Sequence, residues 1–207
     1  ALGRRVERNF GFKERTKFTH DGLDVVMDDD NNTGLTKYQN GLGIDDKLKF
    51  SNAGASSYFL QDHLGSTLGL SNSAASVNSS ASYDSFGNAT GNLATRYQFT
   101  GRERDDFTGL MYYRARFYDA KPGRFISEDP IDFEGGDVNL FVYVKNNPVI
   151  FTDPLGLLDP IVYQDPNMYP TDPEQVARAA RCYKKYKFSS VFSGGNPTVE
   201  AALEYVE

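Results

Sequence analysis

The chain has 207 residues and a mass of 23.1 kDa, enough for one domain or a domain with an appendage, each able to bury a core. Hydrophobic residues at 39% and charged residues at 24% exclude wholesale disorder, and a net charge of −6 excludes a nucleic-acid binder working through a broad basic surface. A single Cys excludes a disulfide within the chain and, with only 2 His, excludes zinc-finger and zinc-ribbon sites.

No apolar run approaches the roughly 20 residues needed to span a bilayer, and no charged start followed by an apolar segment reads as a signal peptide. Phe 15 and Tyr 13 beside 19 Gly, with no Trp, predict aromatic strands punctuated by turns. Composition changes near residue 158. The first 157 residues hold 17 of the 19 Gly, whereas the remainder holds 5 of the 9 Pro.

In chain order, Val25-Val26-Met27, the cluster Asp28-Asp29-Asp30-Asn31-Asn32-Thr33-Gly34 and Leu35-Thr36-Lys37-Tyr38-Gln39 read as strand, turn and strand. Asp28, Asp30 and Asn32 alternate like the start of a calcium loop. Gln39 stands where the closing Glu belongs and the sixth place has no Gly, so an acidic hairpin turn is the preferred reading. The strand-and-turn pattern recurs at Ser57–Leu60 before Asp62-His63-Leu64-Gly65, and at Thr67–Leu70 before Ser71-Asn72-Ser73. It returns at Ser82–Asn88, which leads to Tyr97-Gln98-Phe99-Thr100-Gly101. Turn signals about every 10 residues predict an all-β region.

The tail differs. Asp172-Pro173-Glu174-Gln175 is a helix start, and Val176, Ala179, Ala180, Tyr183 and Tyr186 follow on one face. Gly194-Gly195 punctuates, then Asn196-Pro197 opens a second helix carrying Val199, Ala202, Leu203 and Val206. Two such short helices need a packing partner. His20, His63 and Cys182 lack the neighbours of a nucleophilic site and are read as structural. Asn31, Asn78 and Asn88 begin Asn-x-Ser/Thr triplets, which matter only in a eukaryotic secretory host.

Ala1-Leu2-Gly3-Arg4-Arg5-Val6 resembles the second half of a YD repeat, and Asp62-His63-Leu64-Gly65-Ser66-Thr67 and Tyr83-Asp84-Ser85-Phe86-Gly87-Asn88 resemble later blocks of the RHS/YD-repeat family. Phe99-Thr100-Gly101-Arg102-Glu103, Thr108–Tyr118 (TGLMYYRARFY) and Gly123–Pro130 (GRFISEDP) resemble the RHS-associated core. That core closes with Asn147-Pro148-Val149-Ile150-Phe151-Thr152-Asp153-Pro154-Leu155-Gly156-Leu157. The resemblance implies a mainly β protein: a YD-repeat β-hairpin strip over 1–96, an RHS-core plug over 97–157 and a variable tail with two short helices over 158–207. Because the chain opens halfway through a repeat, a natural product that is longer, or that descends from something longer, is expected.

In that family the strip spirals into a hollow shell around cargo, and many bacterial members carry an aspartyl autoprotease that cuts after Asp-Pro-x-Gly-Leu. Carried over, the cut falls between Leu157 and Leu158. Asp129 and Asp153 are the matching catalytic acids. Arg116 matches the motif arginine better than Arg114 does, and Pro148, Pro154 and Gly156 are motif positions. Carboxylate proteolysis needs one ionised acid to activate water and one protonated acid to donate, a division that burial and mutual repulsion produce. Pro154 restricts the chain beside Asp153, and Gly156 permits close backbone approach.

The implied partners are the protein's own tail, as substrate or cargo, and upstream RHS repeats or other chains, including copies of itself. No cofactor, metal, nucleic acid or membrane span is indicated, and the family resemblance implies a secreted or cell-surface bacterial protein. Two alternatives stay open. Asp before Pro is also a common turn initiator, so the same sequence suits a non-catalytic secreted or surface protein assembling through exposed β edges. The tail could also be a small toxic effector.

Overall fold

The computed structural model describes residues 4–9, 15–157 and 161–162. Strands β1 (Glu7–Asn9), β2 (Arg15–Asp21), β3 (Asp24–Asp30), β4 (Gly34–Asn40), β5 (Lys47–Asn52), β6 (Ala55–Gln61), β7 (Thr67–Asn72), β8 (Val77–Tyr83) and β9 (Ala89–Asn92) form a 9-stranded meander in which every neighbour is the next strand in sequence. All of its pairings are antiparallel. Strands β10 (Glu103–Arg104), β11 (Met111–Tyr113), β12 (Arg116–Asp119) and β13 (Arg124–Phe125) make a second, 4-stranded antiparallel sheet, and β14 (Phe151–Thr152) pairs with β15 (Ile161–Val162). Among the described residues the only helical pieces are 3-10 turns at Phe99–Gly101, Asp132–Gly135 and Val144–Asn146. The helices expected in the tail, and Cys182, lie outside the described residues.

Three of the strip's turns share one physical device. An Asp or Asn at the end of a strand turns its Oδ1 onto two backbone N–H groups ahead, replacing ladder bonds that the turn removes. Asp62 accepts from Leu64 at 2.9 Å and Ser66 at 2.8 Å, Asn72 from Ala74 at 2.9 Å and Ser76 at 3.1 Å, and Asp84 from Phe86 and Asn88, both at 2.9 Å. Gly65 and Gly87 complete two of these turns at φ of 79° and 89°.

Two boundaries differ from expectation. The acidic run was expected to be the turn after Met27, yet Asp28, Asp29 and Asp30 continue β3 and the turn narrows to Asn31–Thr33. Asp28 and Asp30 are buried because each has partners. Asp28 accepts from the Tyr38 hydroxyl at 2.7 Å and Arg96 at 2.6 Å, and Asp30 from Thr16 at 2.6 Å and from the Asn32 and Thr33 amides. The expected strand at Tyr97–Gly101 is instead a bridge followed by a 3-10 turn, and the strand paired with β8 is Ala89–Asn92. Ala, Thr, Gly and Asn gave that strand no apolar signature, and all four are exposed.

Apolar packing forms two clusters. Phe59, Leu70, Leu93 and Tyr97 pack in the strip, with Val25, Tyr38 and Phe50 at their margin. Phe99, Met111, Tyr113, Tyr118, Phe125, Tyr143 and Val144 pack around the second sheet, and Tyr83 touches both groups. Tyr113, Tyr118, Phe125 and Tyr143 are fully buried, with ring centroids 4.5–5.8 Å apart and mostly edge-on, which adds about 0.5–1.5 kcal/mol per pair to their area burial. This aromatic block forms a rigid floor beneath Arg116, whose guanidinium carbon sits 3.6 Å from the Phe125 ring centroid.

Candidate active site

The tight turn of the β11–β12 hairpin, Tyr113-Arg114-Ala115-Arg116, grips the segment Asp153–Leu157 through successive residues. Arg114 donates to the Pro154 carbonyl, the Ala115 amide to the Leu155 carbonyl at 3.1 Å, and Arg116 Nε to the Gly156 carbonyl at 2.6 Å. Three side-by-side residues thus hold three side-by-side carbonyls. Gly156 lies at φ 66°, and a Cβ there would stand 2.2 Å from the Tyr113 carbonyl oxygen. Gly156→Ala is therefore expected to cost more than about 2 kcal/mol, seen as a lower urea midpoint, because neither backbone can retreat without losing the clamp.

Arg116 is the centre of the arrangement. Its Nη2 lies 2.9 Å from Asp129 Oδ2 and 3.4 Å from Asp153 Oδ2, and Nη1 donates to the Leu140 carbonyl at 2.9 Å. One nitrogen therefore touches both carboxylates, so their Oδ2 atoms are no further apart than the sum of the two distances. All three side chains are at most 2% exposed. Asp129 Oδ1 accepts from the Ile131 amide at 3.0 Å, and Asp153 Oδ1 from the Leu157 amide at 3.0 Å. Burial pushes the Asp153 carboxyl up to about 6; Arg116 and the Leu157 and Gly156 amides oppose the rise, while Asp129 adds to it. Burial lowers the Arg116 pKa, with Asp153 and Asp129 pulling the other way.

The sequence-predicted residues Arg116, Asp129, Asp153, Pro154, Gly156 and Leu157 thus meet in one place. Pro148 is buried in the preceding turn, and Leu158 lies outside the described residues. Sequence reasoning missed Asp45, between β4 and β5. It accepts from Arg102 at 2.5 Å and from Arg114 at 2.8 and 3.0 Å. Burial would raise the Asp45 carboxyl, but Arg102 and Arg114 overcome this and hold it below the ordinary range. In the sequence Asp45 is one of several loop acids and carries no signal. Arg114 does carry one, being part of the hairpin motif with Arg116.

A β-hairpin strip closed by a second sheet that buries an arginine between two aspartates defines the class of protein. The chain belongs to the RHS/YD-repeat family, being homologous over most of its length to proteins of that group. It is 30% identical over 152 residues to the tRNA3(Ser)-specific nuclease WapA of Bacillus spizizenii, a match covering 68% of this chain and 6% of that one. It is 33% identical over 108 residues to the toxin protein Tse5 of Pseudomonas aeruginosa, covering 51% of this chain and 8% of the other. Toxin subunit YenC1 of Yersinia entomophaga is 48% identical over 61 residues, covering 30% and 6%. The chain thus spans only 6–7% of the length of the WapA relatives. No protein-family model matches it. Among solved structures, TcdB2-TccC3-TEV superposes with a TM-score of 0.59 over 75% of this chain and 8% of the other, at 22% identity, and TcdB2-TccC3 with 0.53 over 70% and 7%. These likenesses establish a shared fold.

Proposed function

We propose that the chain is the C-terminal segment of an RHS-type β-shell, with a strip over 1–96 and a core over 97–157 that cleaves its own backbone between Leu157 and Leu158. The observation that carries this reading is the Arg116 guanidinium between Asp129 and Asp153, with Asp153 bonded to the Leu157 amide, next to the bond to be cut. Oδ1 of Asp153 accepts that N–H at 3.0 Å and Oδ2 accepts from Arg116 at a longer 3.4 Å, so Oδ2, the less tightly held oxygen, carries the proton. Asp129, the carboxylate closer to Arg116, takes a proton from a water that attacks the Leu157 carbonyl carbon. The protonated Asp153 delivers its proton to the Leu158 nitrogen as the C–N bond breaks, giving a Leu157 carboxylate and a Leu158 amine. Arg116 offsets charge as the oxyanion develops and holds both acids in register.

The remaining parts of this reading follow from the family. The tail beyond Leu157 is the substrate and cargo, upstream repeats or partner chains complete the shell, and the protein acts outside the bacterial cell or at its surface. Relatives named as toxins, and solved assemblies of TccC3 with TcdB2, support that reading. A second reading, a non-catalytic scaffold that assembles through sheet edges, is favoured by β9, the outer strand of the 9-stranded sheet, whose four residues are all exposed.

Intact-mass measurement of the purified chain over time distinguishes the two. Autoproteolysis yields a fragment ending at Leu157 and a complementary tail, with first-order kinetics independent of protein concentration. An undivided chain of 207 residues at every pH from 4 to 8 would leave the scaffold reading.

A further inference from the structure

We propose that Asp45, on the strip, is a positioning residue that holds the segment to be cut in place, so that cleavage is licensed by docking of the strip on the core. The inference deepens the autoprotease reading above and rests on it for its consequence, although the mechanical link stands independently. The path is short. Asp45 receives Arg114 through two nitrogens, at 2.8 and 3.0 Å, and Arg114 also donates to the Leu23 carbonyl at 3.2 Å, a second point on the strip. The same guanidinium donates to the Pro154 carbonyl. Arg114 sits at φ 54° in the hairpin turn, a conformation that a non-glycine residue keeps only when its surroundings hold it.

Asp45 itself is fixed from several sides. Arg102 donates to it at 2.5 Å and also reaches the Tyr112 carbonyl, on the same hairpin, at 2.6 and 3.1 Å. The Asp45 amide donates to Asp24 at 2.9 Å. Gly101 brings the core backbone so near that a Cβ there would stand 2.7 Å from the Asp45 carbonyl oxygen. Asp45 thus joins two arginines of the core from a loop 69 residues before Arg114 in the chain. A carboxylate orienting a guanidinium fixes its direction as well as its charge. If the strip moves away, Arg114 loses its acceptors at Asp45 and Leu23, and the first of the three clamps on 154–156 has no fixed direction. Arg116, two residues on, must hold the segment without it, and the near-attack geometry of the Leu157 carbonyl degrades.

The test uses the full chain in an Asp129→Asn background, where self-cleavage is slower by about 10²–10⁴-fold and exchange is read before the chain divides. Hydrogen exchange is read at the Ala115 and Leu157 amides, which bond the Leu155 carbonyl and Asp153, and at the Gly123 and Asp84 amides, which bond the Ala120 and Asn88 carbonyls and share no partner with the clamp. Adding Asp45→Asn is expected to speed exchange at Ala115 and Leu157 about tenfold or more, while the other two keep their rates. Asp45→Glu restores part of the protection. Phe59→Leu, which loosens the strip's own cluster, serves as the control for loss of stability at matched Tm and leaves the Ala115 and Leu157 rates unchanged.

With Asp129 native, Asp45→Asn slows self-cleavage by about 10–100-fold without moving its pH profile, since the titrating acids are untouched. Equal acceleration at all four amides, or none, would overturn the proposal. A native chain that never cleaves refutes the autoprotease reading instead, and the exchange pattern still decides the link.

Discussion

Replacing Arg116 by Met is expected to destabilise the chain by about 3–5 kcal/mol, because two buried carboxylates and two carbonyls lose their shared cation together. The methionine stem can cover Phe125 but offers no donor to Gly156 or Leu140 carbonyls, which Arg116 reaches at 2.6 and 2.9 Å. In urea the midpoint falls by about 1.5–2.5 M if the slope is near 2 kcal/mol/M. Arg116→Lys keeps the charge and loses the fork, so it recovers only part of the loss. A midpoint unchanged in Arg116→Met would mean that the buried triad does not hold the core together. Self-cleavage is expected to vanish in Arg116→Met, and lysine is not expected to rescue it to within tenfold, since one ammonium cannot keep both acids and the Gly156 carbonyl in register.

The acids themselves give the second large effect. Asp129→Asn and Asp153→Asn are each expected to lower the cleavage rate by about 10²–10⁴-fold, the usual contribution of a positioned acid or base. They separate in their pH behaviour. The folded Asp153 carboxyl titrates near 6, above its ordinary value of 3.8, so the folded chain binds the proton more tightly than the unfolded chain does. Its contribution to stability is therefore complete below about pH 3.8 and is lost as pH rises through 6, a decline of up to about 3 kcal/mol. Asn at 153 removes that decline, and stability from pH 4 to 6 becomes correspondingly flatter than in the native chain. The native cleavage rate is expected to fall about tenfold per unit above pH 6 as the acid loses its proton. A cleavage rate that keeps rising to pH 8 would reverse the assignment of Asp153 as the donor.

Much of the site was visible in the sequence. Asp129, Asp153, Arg116 and Gly156 stand in short motifs that resemble those of the family, and the structure brings the four together: the arginine forks between two buried acids and glycine yields space. Asp62, Asn72 and Asp84 were equally readable, because an Asx turn is made by a side chain with backbone at most four residues away. Interactions that cross the chain were not readable. Asp28 and Asp30 resemble a solvated turn until Arg96, 68 residues later, and Thr16, 14 residues earlier, are brought alongside. Strand β9 was missed because its pairing with β8 depends on backbone bonds that any residue can make.

Local chemistry, then, was enough to determine the antiparallel hairpin succession and its turn residues, since each of these depends on a few neighbouring residues, whereas Asp129, Asp153 and Arg116 were singled out by the resemblance of their motifs. Only the tertiary structure decided that one guanidinium nitrogen touches both acids, that three residues of a hairpin grip three carbonyls, and that Asp45 reaches across to support the first of them. The physical reason is desolvation. A charged side chain shows its partner only once water has been removed from around it, and which groups become dry together is a property of the packed chain.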